Sequence, residues 1–255
     1  MLWKETDNRS LPTIIIMHGG GLSWWSLEPI IALLKENYHV VTPIIDGHGE
    51  DALETFISIK DSAEKLINYI DTQYKGKVYA IGGLSIGAQI VTEVLSSRED
   101  IAEYAIIESA LVYPIKGTSF MTVPAYKLFY GLIKNRWFSR LQAKTLCVPE
   151  NMFELYYNES IKMTKQSLIN ITLSNGNYEL KQSVSNTKAK VMIMVGGKEI
   201  SIMRKSAKRL NEVIAGSELN ILPGMGHGEI SLLHPLMYVE LIHKFFKNKG
   251  KTNYD

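Results

Sequence analysis

The chain has 255 residues, 45 % of them apolar and 21 % charged, which suits one domain with a sizeable core. A formal net charge of +2 gives no reason to expect nucleic acid or an anionic membrane as partner. The single cysteine, Cys147, excludes an internal disulfide and a cysteine-rich metal site and reads as a small buried hydrophobe. No stretch has the basic, apolar, small-residue order of a leader, and no apolar run approaches the ~18 residues of a membrane span, so no membrane span and a cytoplasmic location are expected.

Residues 1–11 are polar and leave room for at most one edge strand. Thr13-Ile14-Ile15-Ile16-Met17 is a continuous apolar run, as a strand covered on both faces requires, and it ends in His18-Gly19-Gly20-Gly21. Leu27, Ile30, Ile31 and Leu34 then fall at helical spacing, with Pro29 tolerated in the first turn. Residues 38–42 form the next strand, closing on Pro43 and the loop Asp46-Gly47-His48-Gly49. From Asp51 to Tyr74 the apolar positions Leu53, Phe56, Ile57, Ala63, Leu66, Ile67 and Ile70 predict a long helical region facing the core.

A third apolar strand then runs into Gly83-Leu84-Ser85-Ile86-Gly87 and a helical pattern. Reversing a strand into a helix within two or three residues forces the apex, Ser85, into a strained, positive-φ conformation. The glycines two positions to either side remove side chains that would strike the neighbouring strand or helix. The hydroxyl is thereby lifted clear of the backbone at a helix N-terminus, which favours negative charge. Residues 104–108 make a fourth strand, and the alternation implies right-handed βαβ crossovers in a parallel sheet.

The pattern breaks across 111–188, where Phe120, Met121, Tyr126, Leu128, Phe129, Tyr130, Trp137 and Phe138 stand at mostly helical spacing and a second helical block covers 149–171. This stretch reads as a helical lid whose aromatics pack it on the body. The sheet resumes at residues 190–195, followed by Gly196-Gly197-Lys198-Glu199 and a helix with Met203, Ala207, Leu210 and Ile214. The last strand, Glu218-Leu219-Asn220-Ile221-Leu222, ends in Pro223-Gly224-Met225-Gly226-His227, and a closing helix from Pro235 to Lys247 leads into a basic tail expected to fray. The expected division is a core of residues 1–110 and 189–255 with an inserted cap of residues 111–188.

Ligands of parallel sheets bind outside the carboxyl ends of the strands, and Ser85, Glu199, His227, His18 and Glu108 all follow strands. A serine hydroxyl needs an adjacent base, for which His227 in its Gly/Pro loop is the best candidate. That base needs a carboxylate to orient it: Glu199 comes first, and Glu108 after the fourth core strand is the alternative acid. Asp46 and His48 read as loop-structuring groups, Lys198 as solvated charge. No His spacing suits a metal, and the Gly19–Gly21 run lacks the Gly-Lys-Ser/Thr of a phosphate loop.

The ordered set His18-Gly19-Gly20-Gly21, Gly47-His48-Gly49, Gly83-Leu84-Ser85-Ile86-Gly87, Val195-Gly196-Gly197-Lys198-Glu199 and Gly226-His227 resembles the α/β-hydrolase superfamily over nearly the whole chain, especially small capped carboxylesterase- and lipase-like serine hydrolases. The resemblance implies an α/β fold with a mostly parallel, doubly wound sheet, Ser85 as nucleophile, His227 as base and Glu199 as acid. It implies an oxyanion hole from the backbone N–H of Ile86 with that of Gly20 or Gly21. Two departures stand out: the family more often has Asp where Glu199 stands, and the hairpin that commonly precedes the first core strand is missing, so six or seven strands are expected.

The function expected is hydrolysis of a small to medium ester or thioester with an apolar portion, without cofactor or metal. The same triad could serve C–C bond hydrolysis, lactone opening or acyl transfer, and a non-catalytic ligand-binding module is the rival outside enzymes.

Overall fold

The structure is a computed structural model and describes residues 1–247; the tail expected to fray lies outside the described residues. Its strands are β1 (Leu2–Glu5), β2 (Thr13–Met17), β3 (His39–Ile44), β4 (Val78–Leu84), β5 (Ala102–Glu108), β6 (Lys190–Gly196) and β7 (Glu218–Leu222). Its helices are α1 (Glu28–Leu34), α2 (Ile59–Tyr74), α3 (Ile86–Ser97), α4 (Thr118–Phe129), α5 (Arg136–Thr145), α6 (Phe153–Ser160), α7 (Lys165–Gly176), α8 (Ser201–Val213), α9 (Glu229–Leu233) and α10 (Pro235–Lys247). The strands form one sheet in the order β1-β3-β2-β4-β5-β6-β7, parallel throughout except for β1, which pairs antiparallel with β3 from Leu2↔Ile44 to Glu5↔Val41. One antiparallel edge strand thus takes the place of a hairpin.

Alternate residues of each strand serve opposite layers, which is why β2 and β3 are buried without interruption, including Thr13, His39 and Thr42. Ile15, Met17, Val41, Ile81, Ile107 and Ile193 face one core with the apolar sides of α2, α3 and α8. Ile14, Ile16, Val40, Ala80, Ile106 and Met192 face the other, closed by α1 and by Tyr238, Ile242, Phe245 and Phe246 of α10. Because all parallel strands run the same way, the residues that follow them collect along one edge of the sheet.

The stretch between β5 and β6 holds α4 to α7. A third apolar cluster, Leu22 and Trp25 with Ala143, Phe153 and Tyr156, joins it to the body. Trp25 Nε1 donates to Glu159 Oε2 at 2.7 Å, and the amides of Phe56 and Ile59 donate to Ser167 Oγ (3.2 Å) and Ser174 Oγ (2.9 Å) on α7.

Three expectations need correction. The helix predicted from Asp51 begins at Ile59, where Ser58 Oγ caps it by accepting from the Asp61 amide at 3.0 Å. Residues 52–58 therefore run irregularly across the surface, leaving Leu53 82 % exposed while Phe56 is fully buried. Secondly, most aromatics of α4 and α5 do not pack on the body. Thr122 is the buried residue of α4 and Tyr126 bonds Thr172 on α7 at 2.9 Å, whereas Phe120, Met121, Leu128, Phe129 and Trp137 are exposed. Lastly, Cys147 is half-buried, with a left-handed φ of 56°.

In urea unfolding, Leu66→Ala is expected to cost about 2–5 kcal/mol, since Leu66 is wholly enclosed, and Leu53→Ala less than about 0.5 kcal/mol. Equal losses would contradict the helix start at Ile59.

Candidate active site

Ser85 is the single residue between β4 and α3, at φ 56° and ψ −116°. That conformation is costly for a residue with a Cβ and persists only because its surroundings enforce it. A Cβ on Gly83 would lie 2.4 Å from the Gly87 carbonyl carbon, and one on Gly87 would lie 2.6 Å from the His18 carbonyl oxygen. The Ser85 amide donates to Glu108 O at 2.9 Å and its carbonyl accepts from Gln89 N at 3.0 Å, so its backbone is fully used. The half-buried side chain lines a cavity of about 470 Å³, shared with His227, Glu199, Leu111, Ile202 and Met203 among others.

His227 follows β7 and Glu199 follows β6. His227 Nδ1 lies 2.7 Å from Glu199 Oε2, so Nδ1–H donates to the carboxylate and Nε2 keeps its lone pair. Glu199 Oε1 accepts from Ser109 Oγ at 2.6 Å and from the Gly196 amide at 2.7 Å. Burial pushes the Glu199 carboxyl up, but the bonds from His227, Ser109 and Gly196 outweigh it and hold the group below its usual range. Arg204 donates to the Glu199 and Gly197 carbonyls and steadies the loop. Among the described residues no hydrogen bond joins Ser85 Oγ to His227; the two meet as walls of one cavity.

Gly20 packs against Ile86, where a Cβ on Gly20 would meet Ile86 Cγ2 at 3.6 Å. The Ile86 amide opens a helix and has no intrahelical acceptor, and the Gly20 and Gly21 amides have no acceptor among the described residues. His18 sets this loop. Its Nε2 accepts from the Ile45 amide at 3.1 Å, so Nδ1–H donates to Gly19 O at 2.9 Å. Complete burial, and then the nearby His48, push the His18 imidazole down to about 3, which makes it a neutral fixture. His48 Nδ1 lies 3.1 Å from Asp46 O, and Asp46 Oδ2 accepts from Lys65 at 2.5 Å. Both residues shape their loop.

Glu108 stands apart from this network. It is buried and neither carboxyl oxygen has a hydrogen-bond partner; the nearby Ser231 hydroxyl donates to Gly228 O, and its approach to Glu108 falls outside hydrogen-bond geometry. Burial raises the carboxyl to about 7, against the smaller opposing influence of Ser231 and His227. The carboxylate that meets His227 is therefore Glu199, while Glu108 supplies the carbonyl that anchors Ser85. Ser109, held at φ 54° and bonded to Glu199, was not singled out from the sequence, where only its place after a strand could have marked it.

A seven-stranded, mostly parallel sheet carrying a serine elbow with an acid and a histidine on later strand ends defines an α/β hydrolase, and the chain is an enzyme of that class. More narrowly, it belongs to the hydrolase family described as serine aminopeptidase, S33, whose model matches residues 9–231. An AB hydrolase superfamily protein of Gibberella zeae is 24 % identical over 143 residues, 54 % of this chain and 49 % of that one, so the match spans about half the length of that curated relative. Among solved structures, one reported in work on carboxylesterases of the ammonia-oxidizing thaumarchaeon Nitrososphaera gargenis superposes with TM-score 0.76 at 16 % identity, covering 96 % of this chain and 93 % of that chain. The enol-lactonase of Burkholderia xenovorans LB400 does so with TM-score 0.76 at 14 % identity, covering 96 % and 95 %. At these identities the likeness is one of fold. Among the described residues no helix is long and apolar enough to cross a membrane, and no group of three or more His, Cys, Asp or Glu is placed to hold a metal ion.

The raised Glu108 carboxyl has a measurable consequence. Between about pH 4.5 and 7 the folded protein keeps a proton that the unfolded chain has released, so stability from this group is full below the window and lost as pH rises through it. From pH 5 to pH 8 the wild-type protein is expected to lose about 2–3 kcal/mol more than Glu108→Gln in urea unfolding. Parallel pH profiles would mean that Glu108 is ionised throughout.

Proposed function

We propose that this hydrolase cleaves a small to medium carboxylic ester or thioester through an acyl-enzyme on Ser85, with His227 as base and Glu199 as its orienting acid. The observation that carries this reading is the strained Ser85 opening onto the same cavity as His227, whose ring Glu199 fixes at 2.7 Å. Ser85 Oγ attacks the substrate carbonyl carbon as His227 Nε2 takes its proton, and the Oγ–His227 bond closes as substrate arrives. The carbonyl electrons move onto oxygen, where the amides of Ile86 and of Gly20 or Gly21 hold the charge, each donor contributing about 3–4 kcal/mol to the transition state. Collapse expels the alcohol or thiol with the proton returned by His227. Water, deprotonated in turn by His227, then releases the acid and restores Ser85. Glu199 stays ionised throughout and stabilises the imidazolium.

Apolar side chains of Leu111, Ile115, Ile202 and Met203 in the cavity wall support an apolar acyl or alcohol portion. Leu111, Ile115 and Asn175 belong to residues 111–188, which supports reading that stretch as a cap on a core of residues 1–110 and 189–255. The cytoplasmic location expected from the lack of a leader-like stretch and of a long apolar run is part of the same proposal. An aminopeptidase must hold a free ammonium beside the scissile bond. Here the carboxylate in the cavity wall, Glu199, is already spent on three partners, and Lys198 adds a like charge, so the ester reading is preferred.

The test is intact-mass spectrometry after a fluorophosphonate, alongside turnover of short-chain esters. One adduct mapping to Ser85 is expected on the native protein and none on Ser85→Ala, with Glu199→Gln lowering kcat by about 10²–10⁴. Full ester turnover by a folded Ser85→Ala protein would end this reading.

A further inference from the structure

Between Glu108 and Glu150 the chain carries six basic residues, Lys116, Lys127, Lys134, Arg136, Arg140 and Lys144, and no Asp or Glu. The net charge of +2 conceals this segregation, because the rest of the chain is net acidic. Arg136 pairs with Glu154, and Arg140 with Glu150 at 2.6 Å; the four lysines have no carboxylate within ion-pair distance among the described residues.

The same stretch displays large apolar side chains outward. Phe120 is 80 %, Leu128 74 % and Trp137 73 % exposed, and Met121, Phe129 and Leu141 are each more than half exposed. On α4, Phe120, Met121, Pro124, Lys127 and Leu128 share one exposed face by helical spacing, while the buried residue is the small, polar Thr122, with Tyr126 half-buried against α7. The usual amphipathic order is reversed: the helix keeps its bulk away from the core. On α5, Trp137 and Leu141 are one turn apart, as are Arg136 and Arg140. Soluble monomers seldom expose apolar surface on this scale without a partner.

We propose that α4, α5 and the turn between them dock on a bilayer surface bearing anionic phospholipid headgroups, with Phe120, Leu128 and Trp137 entering the interface and the lysines meeting lipid phosphate. Charge decides the occupant. Aromatic and aliphatic side chains interleaved with lysine, and free of acids, match the combination of apolar boundary and negative surface that such a bilayer offers. A symmetric pairing of two copies through this face would set one basic patch against another, which opposes it. The docking helix starts three residues after Ile115, a wall of the Ser85 cavity, so the surface and the cavity adjoin. Docking itself does not depend on the chemistry at Ser85.

The experiment is co-sedimentation of the full chain with vesicles of phosphatidylcholine alone or mixed with phosphatidylglycerol, at low and high salt. The expected result is partition onto the mixed vesicles at least about tenfold stronger than onto neutral ones, weakened by salt. Lys127→Glu/Lys134→Glu and Phe120→Ser/Leu128→Ser/Trp137→Ser are each expected to lower that partition at least about tenfold with thermal melting unchanged. All five positions are exposed, and the charge-reversal pair tests the idea even if the apolar triple variant unfolds. Absence of sedimentation, equal sedimentation with both vesicle types, or full retention by the folded charge-reversal variant would overturn the proposal. So would a concentration-dependent dimer that the triple variant abolishes while vesicles are ignored, which would assign the face to a second copy.

Discussion

The approach of Gly196 to Gly226 is the constraint on which the site rests. A Cβ on Gly196 would lie 2.4 Å from the Gly226 carbonyl oxygen, so two strand-end loops press together where no side chain fits. Backbone bonds lace them, Gly197 N to Leu222 O at 2.8 Å and Lys198 N to Met225 O at 2.9 Å. One loop carries Glu199 and the other His227, and the closeness of their backbones leaves the carboxylate 2.7 Å from the ring despite the extra methylene that distinguishes Glu from Asp. With Ser109 from the end of β5 on its other oxygen, Glu199 joins three neighbouring strand ends, β5, β6 and β7. Orientation of the imidazole is thus set by main-chain packing, and the side chains inherit it.

A second close approach ties the elbow to the glycine loop. Gly87 sits against the carbonyls of Met17 and His18, so the first turn of α3 packs on the end of β2 more closely than any side chain at Gly87 would allow. The neutral His18 then carries that placement on to Gly19 through one bond and to Ile45 through another. Backbone packed on backbone beneath Gly20 and Ile86 supports the proposal that their amides form a preorganised anion site.

The inner strands were legible because β2, β4 and β6 are buried on both faces and leave apolar runs, and the elbow because Gly83 and Gly87 answer to collisions any side chain would cause. The start of α2 was misread because Leu53 and Ile57 match helical spacing by composition, while the true signal was a single capping hydroxyl at Ser58. The aromatics of α4 were assigned to packing because periodicity shows which residues share a face but not which way that face turns. Ser109 and the contrast between Glu108 and Glu199 depend on which carboxylate points across to the next strand end, and spacing along the chain holds no record of that. Net charge, likewise, averages over a segregated surface and holds no record of the basic stretch between Glu108 and Glu150.

The order of the strands also has a price in folding. β5 pairs with β4 on one side and with β6 on the other, and roughly eighty residues separate β5 from β6 in the chain. At ~5–20 residues per second, a nascent chain presents the open edge of β5 for several seconds before its partner strand is made. During that interval Ala105 and Ile107 lack their neighbours, and an unpaired apolar edge of this kind recruits other chains. The helices of residues 111–188 are synthesised in that window, so how fast they gather against the half-built sheet sets how long the growing chain remains open to aggregation.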